Sequence, residues 1–414
     1  MKYFIRSVIL ILAAGAALAQ QLAQESIVVN VEVPVRVYRG NRFVGDLTMN
    51  DFELLENGKP QTLEAVYLIK KQAIERRDEI RPFAPQTNRH FYLIFEISDY
   101  TPKMGEALDY FLQDVLMPGD GLTIVSPLKT YRLKPRAFEV RSRAEIVGQV
   151  KSILRRDTLL GSVEYKSVVS ELENLSKALG TAITRELAAR LAIFAESALD
   201  VVENSQTVQF PLDEMFNRYS ETLAALDHLR SMDQQQLLNF SKILKGEAGQ
   251  KYVYLFYQRE FVPKIDPHII DQYIDLFQDR PIIYQSAQSI FQFYRRDIPF
   301  DAELVNKAYA DSSVAIHFLL ISEPRKLTPG IFYEEQTEDI FGAFNEMARA
   351  TGGFTESSSN PAFLIKKAVE ASEFYYLLYY TPRPYVKDGK FREIQVRVKN
   401  RTDRVIHRIG YIAD

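Results

Sequence analysis

The sequence predicts an α/β fold: a doubly wound, mostly parallel sheet with a helical insertion, beside a small β-sandwich formed by the N- and C-terminal segments. Three observations predict it. Between residues 90 and 372, short continuous apolar runs alternate with amphipathic helical patterns, as expected of parallel strands covered on both faces. At each end of the chain apolar residues recur with period two instead. Within the α/β region, residues 165–245 carry two long apolar stripes at spacings of three and four. The 414 residues are 46% hydrophobic and 25% charged, which suits two or three globular domains and excludes collagen-like, disordered and polytopic membrane classes. With 51 basic against 54 acidic side chains, the basic excess of a nucleic-acid binder is missing. No cysteine is present, so disulfides, thiolate metal sites and cysteine catalysis are excluded.

Residues 1–19 read as a secretory signal. Lys2 and Arg6 precede an apolar run that is too short to span a membrane, and Ala17-Leu18-Ala19 supplies a small-x-small cleavage pattern. The alternative is an uncleaved N-terminal anchor. No later stretch holds about 18 uninterrupted apolar residues, so the mature chain is expected to carry no transmembrane segment. The protein is expected to be exported, to a periplasmic or extracellular location.

Residues 26–70 form the N-terminal β segment. Val29, Val31, Val33, Val35 and Val37 alternate with Asn30, Glu32, Pro34 and Arg36. Pro34 lacks an N–H donor, which points to an edge strand. Asn57-Gly58 is a strong hairpin signal. Residues 71–88, charged and without periodicity, read as a linker.

The α/β domain is expected over 89–372. Phe91–Phe95 and Leu122–Val125 are apolar strands, with a helix over 103–117 between them. A third strand lies near Tyr131–Phe138. Ser142 and Glu145 form a capping-box pattern opening a helix over 142–155. The insertion at about 165–245 is expected to be an antiparallel helical hairpin. Lys251–Tyr257 and Val314–Ile321 are further buried strands, with helices over 267–278 and 301–310. A helix over 336–350 stops at Thr351-Gly352-Gly353, and another spans 361–372. Residues 373–414 return to β and complete the sandwich. Without a covalent staple, its closure rests on residues near 30 pairing with residues near 395.

Local motifs in this order resemble the bacterial secreted proteins that carry a von Willebrand factor A-related domain. The N-terminal segment Gly45–Gln61 (GDLTMNDFELLENGKPQ) is similar to that family's β-rich leader. Ala348–Gly353 (ARATGG), Tyr375–Pro382 (YYLLYYTP), Asp388–Arg392 (DGKFR) and Gly410-Tyr411 are similar to its later scaffold. The resemblance implies the doubly wound fold and a metal-ion-dependent adhesion site. In that site a D-x-S-x-S loop, a threonine and an aspartate hold a divalent ion with hard oxygen ligands.

This chain departs from the pattern. The first-strand loop reads Glu96-Ile97-Ser98-Asp99-Tyr100, so only Ser98 matches, and Tyr257-Gln258-Arg259 replaces the later aspartate with a neutral amide beside a cation. The expectation is a degenerate site with no bound metal or other cofactor. Its ligand-binding residues are Glu96, Ser98, Asp99, Tyr100, Gln258 and Arg259, and Arg259 is expected to stand beside the missing carboxylate. The five histidines are scattered, and G-x-S-x-G, H-E-x-x-H and phosphate-loop motifs are absent. The functional expectation is therefore an exported, non-enzymatic, adhesion-type module that binds a protein partner independently of metal. Two alternatives stand beside it. One is Mg²⁺-dependent adhesion, with Asp99 rotating in; the other is an envelope assembly role for the helical hairpin.

Overall fold

Val33, Val35 and Val37 are completely buried, and their alternation commits the first described segment to strand β1 (Val31–Arg39). The structure is a computed structural model. It describes residues 29–134, 137–194, 212–276, 300–324, 327–329, 331–335, 338–399 and 402–414. The secretory signal at 1–19 and the break between the two insertion helices lie outside these residues. After β2 (Arg42–Phe43) come β3 (Phe52–Glu56) and β4 (Lys59–Gln61), a hairpin turned by Asn57 and Gly58, both at positive φ (48° and 76°). β5 (Leu63–Lys70) and β6 (Ala73–Glu79) follow.

Next come β7 (Arg89–Glu96), α1 (Pro102–Tyr110), β8 (Gly121–Val125) and β9 (Thr130–Leu133). Ser142 and Glu145 exchange backbone hydrogen bonds at the start of α2 (Arg143–Gly161). The long α3 (Val163–Phe194) packs against α4 (Leu212–Arg230), and α5 (Gln234–Gly246) leads into β10 (Gln250–Gln258). β11 (Phe261–Lys264), α6 (Pro267–Leu276), α7 (Ala302–Asp311), β12 (Val314–Ile321) and β13 (Phe332–Glu335) come next. The chain ends with α8 (Glu338–Ala350), β14 (Phe354–Ser358), α9 (Pro361–Glu373), β15 (Phe374–Tyr380), β16 (Phe391–Val398), β17 (Arg404–His407) and β18 (Gly410–Ile412).

The doubly wound, mostly parallel architecture predicted above is not what these strands build. Among the described residues, ten strand ladders are antiparallel and four are parallel. Parallel pairing is confined to one mixed sheet, β14-β12-β10-β7-β8-β9, whose last strand runs antiparallel. The other three sheets are wholly antiparallel: β17-β1-β15-β5-β6 with β2 beside β1, β18-β16-β3-β4, and β11-β13. The physical reason is that a continuous apolar run reports cover on both faces and carries no strand direction. β15 is such a run. It turns Tyr376, Leu378 and Tyr380 into one apolar cluster and Tyr375, Leu377 and Tyr379 into another, yet it is antiparallel to both β1 and β5.

Three local expectations change as well. β1 is an interior strand, with β15 on one side and β17 on the other. Pro34 is tolerated because β17 pairs only with Val35–Tyr38 and stops short of it. Residues 73–79, expected as linker, form the edge strand β6. Its charges have fixed work: Arg76 donates to the carbonyls of Gly45 and Leu47, and Asp78 accepts from the Met49 N–H at 2.6 Å. A charged edge also discourages pairing with other chains. The chain ends do meet, but residues near 30 pair with residues near 380 (Val31 with Tyr380), while Ile394 pairs with Glu56.

The antiparallel sheets enclose a core of Val33, Val35, Leu54, Tyr376, Leu378 and Val396. At its centre Glu56, buried, accepts from the hydroxyls of Tyr380 (2.8 Å) and Tyr411 (3.0 Å). In the mixed sheet every residue of β10 is buried. Beside it, α8 stops at Gly352 (φ 73°), and Gly353 lies so close to Ile316 that a Cβ would sit 1.6 Å from its carbonyl oxygen. The α3–α4 hairpin has its own core of Leu172, Leu179, Ile183, Phe216 and Tyr219. Among the described residues no helix is long and apolar enough to cross a membrane.

Candidate functional site at the ends of two parallel strands

β7 and β10 lie side by side and parallel, with Glu96 opposite Tyr257. From β7 the neighbouring strand on one side is β8 and on the other β10, so the connections leave in opposite directions and open a crevice at the strands' carboxyl ends. The chain leaving β7 buries Ile97, leaves Ser98 half-buried and Asp99 exposed, and enters α1 through Thr101, whose hydroxyl accepts from the Met104 N–H. The Gln258 side-chain oxygen accepts from the N–H groups of Ser98 (2.9 Å) and Asp99 (3.0 Å). One buried amide on β10 thus fixes the loop after β7.

Asp99 sits on the rim. Its carboxylate accepts from Lys166 at 2.7 Å, with Ser98 and Gln258 at longer range. Burial raises its pKa, but the hydrogen bond and charge of Lys166, helped by Gln258 and Ser98, outweigh this and hold the carboxyl below its ordinary value. Glu96 differs. Among the described residues its side chain has no hydrogen bond or ion pair. It is open to the cleft water but walled by protein, and this desolvation, with the Glu260 carboxylate nearby, pushes its pKa up to about 7. Glu260 is paired with the nearly buried Arg230 guanidinium.

Together these groups face a cleft of about 530 Å³. Glu96, Ser98 and Gln258 form one side; Tyr165 at the start of α3, Arg230 at the end of α4 and Tyr257 form much of the rest. Burial raises the phenol pKa of both Tyr165 and Tyr257, and the Glu260 charge adds to it, so both stay neutral hydroxyls.

Of the six sequence-nominated residues, Glu96, Ser98 and Gln258 line the cleft and Asp99 stands on its rim. The other two are corrected by the packing. Tyr100 turns toward the α1–α2 core, where its hydroxyl crowds Gly105 alongside Lys151. Arg259 does not stand beside a vacant carboxylate position; its Nε lies 2.8 Å from Glu335 on β13, and its N–H donates to the Ile321 carbonyl. Tyr165, Arg230 and Glu260 were not nominated. The first two come from the helical hairpin, far from either loop in sequence, and carry no local motif.

The donor set does not fit Mg²⁺. That ion needs near-octahedral oxygen donors, but Asp99 is neutralised by Lys166, the Gln258 oxygen is taken by two backbone N–H groups, and Glu260 serves Arg230. Among the described residues no three His, Cys, Asp or Glu side chains converge as a metal site.

No family model matches the chain, and no curated protein matches it. Among solved structures it aligns with the human COPII-coat protein Sec24c at 9% identity, over 80% of this chain and 44% of that one, with a TM-score of 0.27. A superposition that loose supports no inference about fold or function.

Proposed function

We propose that the chain is an exported, non-enzymatic, adhesion-type module that captures a protein partner, without metal, at the cleft between the ends of β7 and β10. The carrying observation is the cleft's border. Leu128, Leu159, Leu160 and Val163 are 47%, 63%, 55% and 58% exposed, and they flank Pro127, Gly161 and Ser162 of the cleft wall. Such a patch beside a concave polar site is what a protein interface needs: apolar area to bury and polar groups to set orientation. The pinned Ser98–Asp99 loop supports this reading, because a fixed loop loses little conformational freedom on binding. Export rests on the Lys2–Ala19 signal pattern.

The test is pull-down from the native envelope with wild type and with a Glu96→Ala, Ser98→Ala, Leu160→Ser variant. Loss of the co-purifying partner in the variant is the expected result. Equal capture by a folded variant would remove the cleft from the function. Arg259→Ala is the internal control and is expected to capture normally.

A further inference from the structure

Resting on that reading, we infer that the cleft receives a basic side chain, a lysine or arginine of the partner, with Glu96 as its counter-ion. Three observations carry this. The first is charge. The side chains lining the cleft include four carboxylates (Glu96, Glu164, Asp233 and Glu260) and one guanidinium (Arg230). A concave surface with apolar walls concentrates that negative field at the bottom of the cleft and attracts cations.

The second is how that charge is spent. Arg230 is taken by Glu260, and Asp233 caps α5 by accepting from the N–H groups of Gln235 and Gln236. Glu96 and Glu164 line the cleft with no hydrogen bond or ion pair among the described residues, and of the two it is Glu96, at the end of β7, that the surrounding protein and the nearby Glu260 charge penalise. A carboxylate in that position costs free energy unless a cation joins it. Its raised pKa is the same cost seen in protonation.

The third is shape. The cleft walls include Tyr165, Tyr257 and Phe240, while the exposed leucines lie outside on the rim. A lysine or arginine can lay its aliphatic stem along such a wall while its head reaches the carboxylate. An acidic partner residue would be repelled.

The test is NMR titration of the full chain at pH 8 and low salt with three neutral-backbone probes: acetyl-lysine methylamide, acetyl-norleucine methylamide and acetyl-glutamate methylamide. The lysine probe is expected to shift the Ser98 and Gln258 amide signals saturably and to bind about fivefold tighter than norleucine, the size expected of a partly exposed charge pair. The glutamate probe is expected to bind weakest. In Glu96→Gln, a nearly isosteric change, the lysine preference is expected to vanish while norleucine binding stays. Equal binding of lysine and norleucine by wild type, or tighter binding of glutamate, overturns the inference. The pull-down separates the two claims. If capture depends on the cleft but the lysine preference is absent, only the ligand chemistry falls. If the triple variant captures its partner normally, the functional reading falls whatever the probes show.

Discussion

Two regions of the molecule hold charged side chains against protein walls, and they treat them in opposite ways. At the joint between the antiparallel sheets and the mixed sheet, Arg36 donates to the carbonyls of Gly352 and Ala371, at the ends of α8 and α9. Arg408 donates to Ala310 in the last turn of α7 and to Glu32, and Lys251 donates to the Glu247 carbonyl just after α5. Each cation meets the negative end of a helix, where carbonyls lack intrahelical partners. In the cleft, by contrast, Glu96 has no hydrogen bond or ion pair among the described residues.

 

The difference teaches how to separate two roles that look alike in sequence. A buried cation whose guanidinium or ammonium meets helix-end carbonyls helps hold the fold together. A charge left unpaired in a cleft costs stability and is available to a ligand.

The comparison can be broken most forcefully at the joint. Gly353→Ala should be the most damaging change, because its Cβ would sit 1.6 Å from the Ile316 carbonyl oxygen and the backbone would have to move. We expect loss of several kcal/mol, on the order of 4, or no folded protein, read as soluble yield and urea midpoint. Arg36→Met should follow, at about 3 kcal/mol, since it strands the Gly352 and Ala371 carbonyls in a buried joint. A cost under about 1 kcal/mol would show that the joint does not depend on helix-end pairing.

Glu96→Gln sharpens the other side, with the opposite sign. The Glu96 pKa is about 7 when folded, above its unfolded value, so the folded state binds the extra proton between roughly pH 4.3 and 7. Wild type should therefore lose stability as pH rises through that window, and the variant should not. The two should agree near pH 4 and differ by about 1 kcal/mol at pH 8 in the variant's favour, a figure reduced for solvent in the cleft. Urea melts at both pH values decide it; no pH-dependent gap would mean Glu96 is not strained. Lysine-probe binding should weaken over the same range as pH falls and Glu96 takes up its proton. The smallest effect should come from Arg259→Ala, within about 0.5 kcal/mol, because its contact with Glu335 is half-exposed.

Much of the local structure was legible. The valine alternation of β1, the Asn57-Gly58 turn, the Ser142/Glu145 cap and the Gly352-Gly353 stop are all decided within a few residues, by side-chain periodicity, positive φ and backbone N–H groups seeking acceptors. In the site, Glu96, Ser98, Asp99 and Gln258 were nominated by laying the adhesion-site loop pattern of the resembled family on the ends of two apolar strands. Tyr100 and Arg259 could not be placed, since a side chain's direction depends on Lys151 and Glu335, which lie far along the chain.

By itself, then, the amino-acid order determined most of the long strands and helices, where several of them start and stop, and which polar residues follow two of the apolar strands. Tertiary structure alone decided that most strands run antiparallel, that Pro34 sits in an interior strand, and that residues 73–79 pair. It also decided which charges are spent: Arg36 finds its carbonyl partners 316 and 335 residues away, while Glu96 finds none among the described residues. The physical reason is range. Periodicity and capping act over three or four residues, whereas strand direction and charge compensation depend on which distant surfaces meet when the apolar faces are buried.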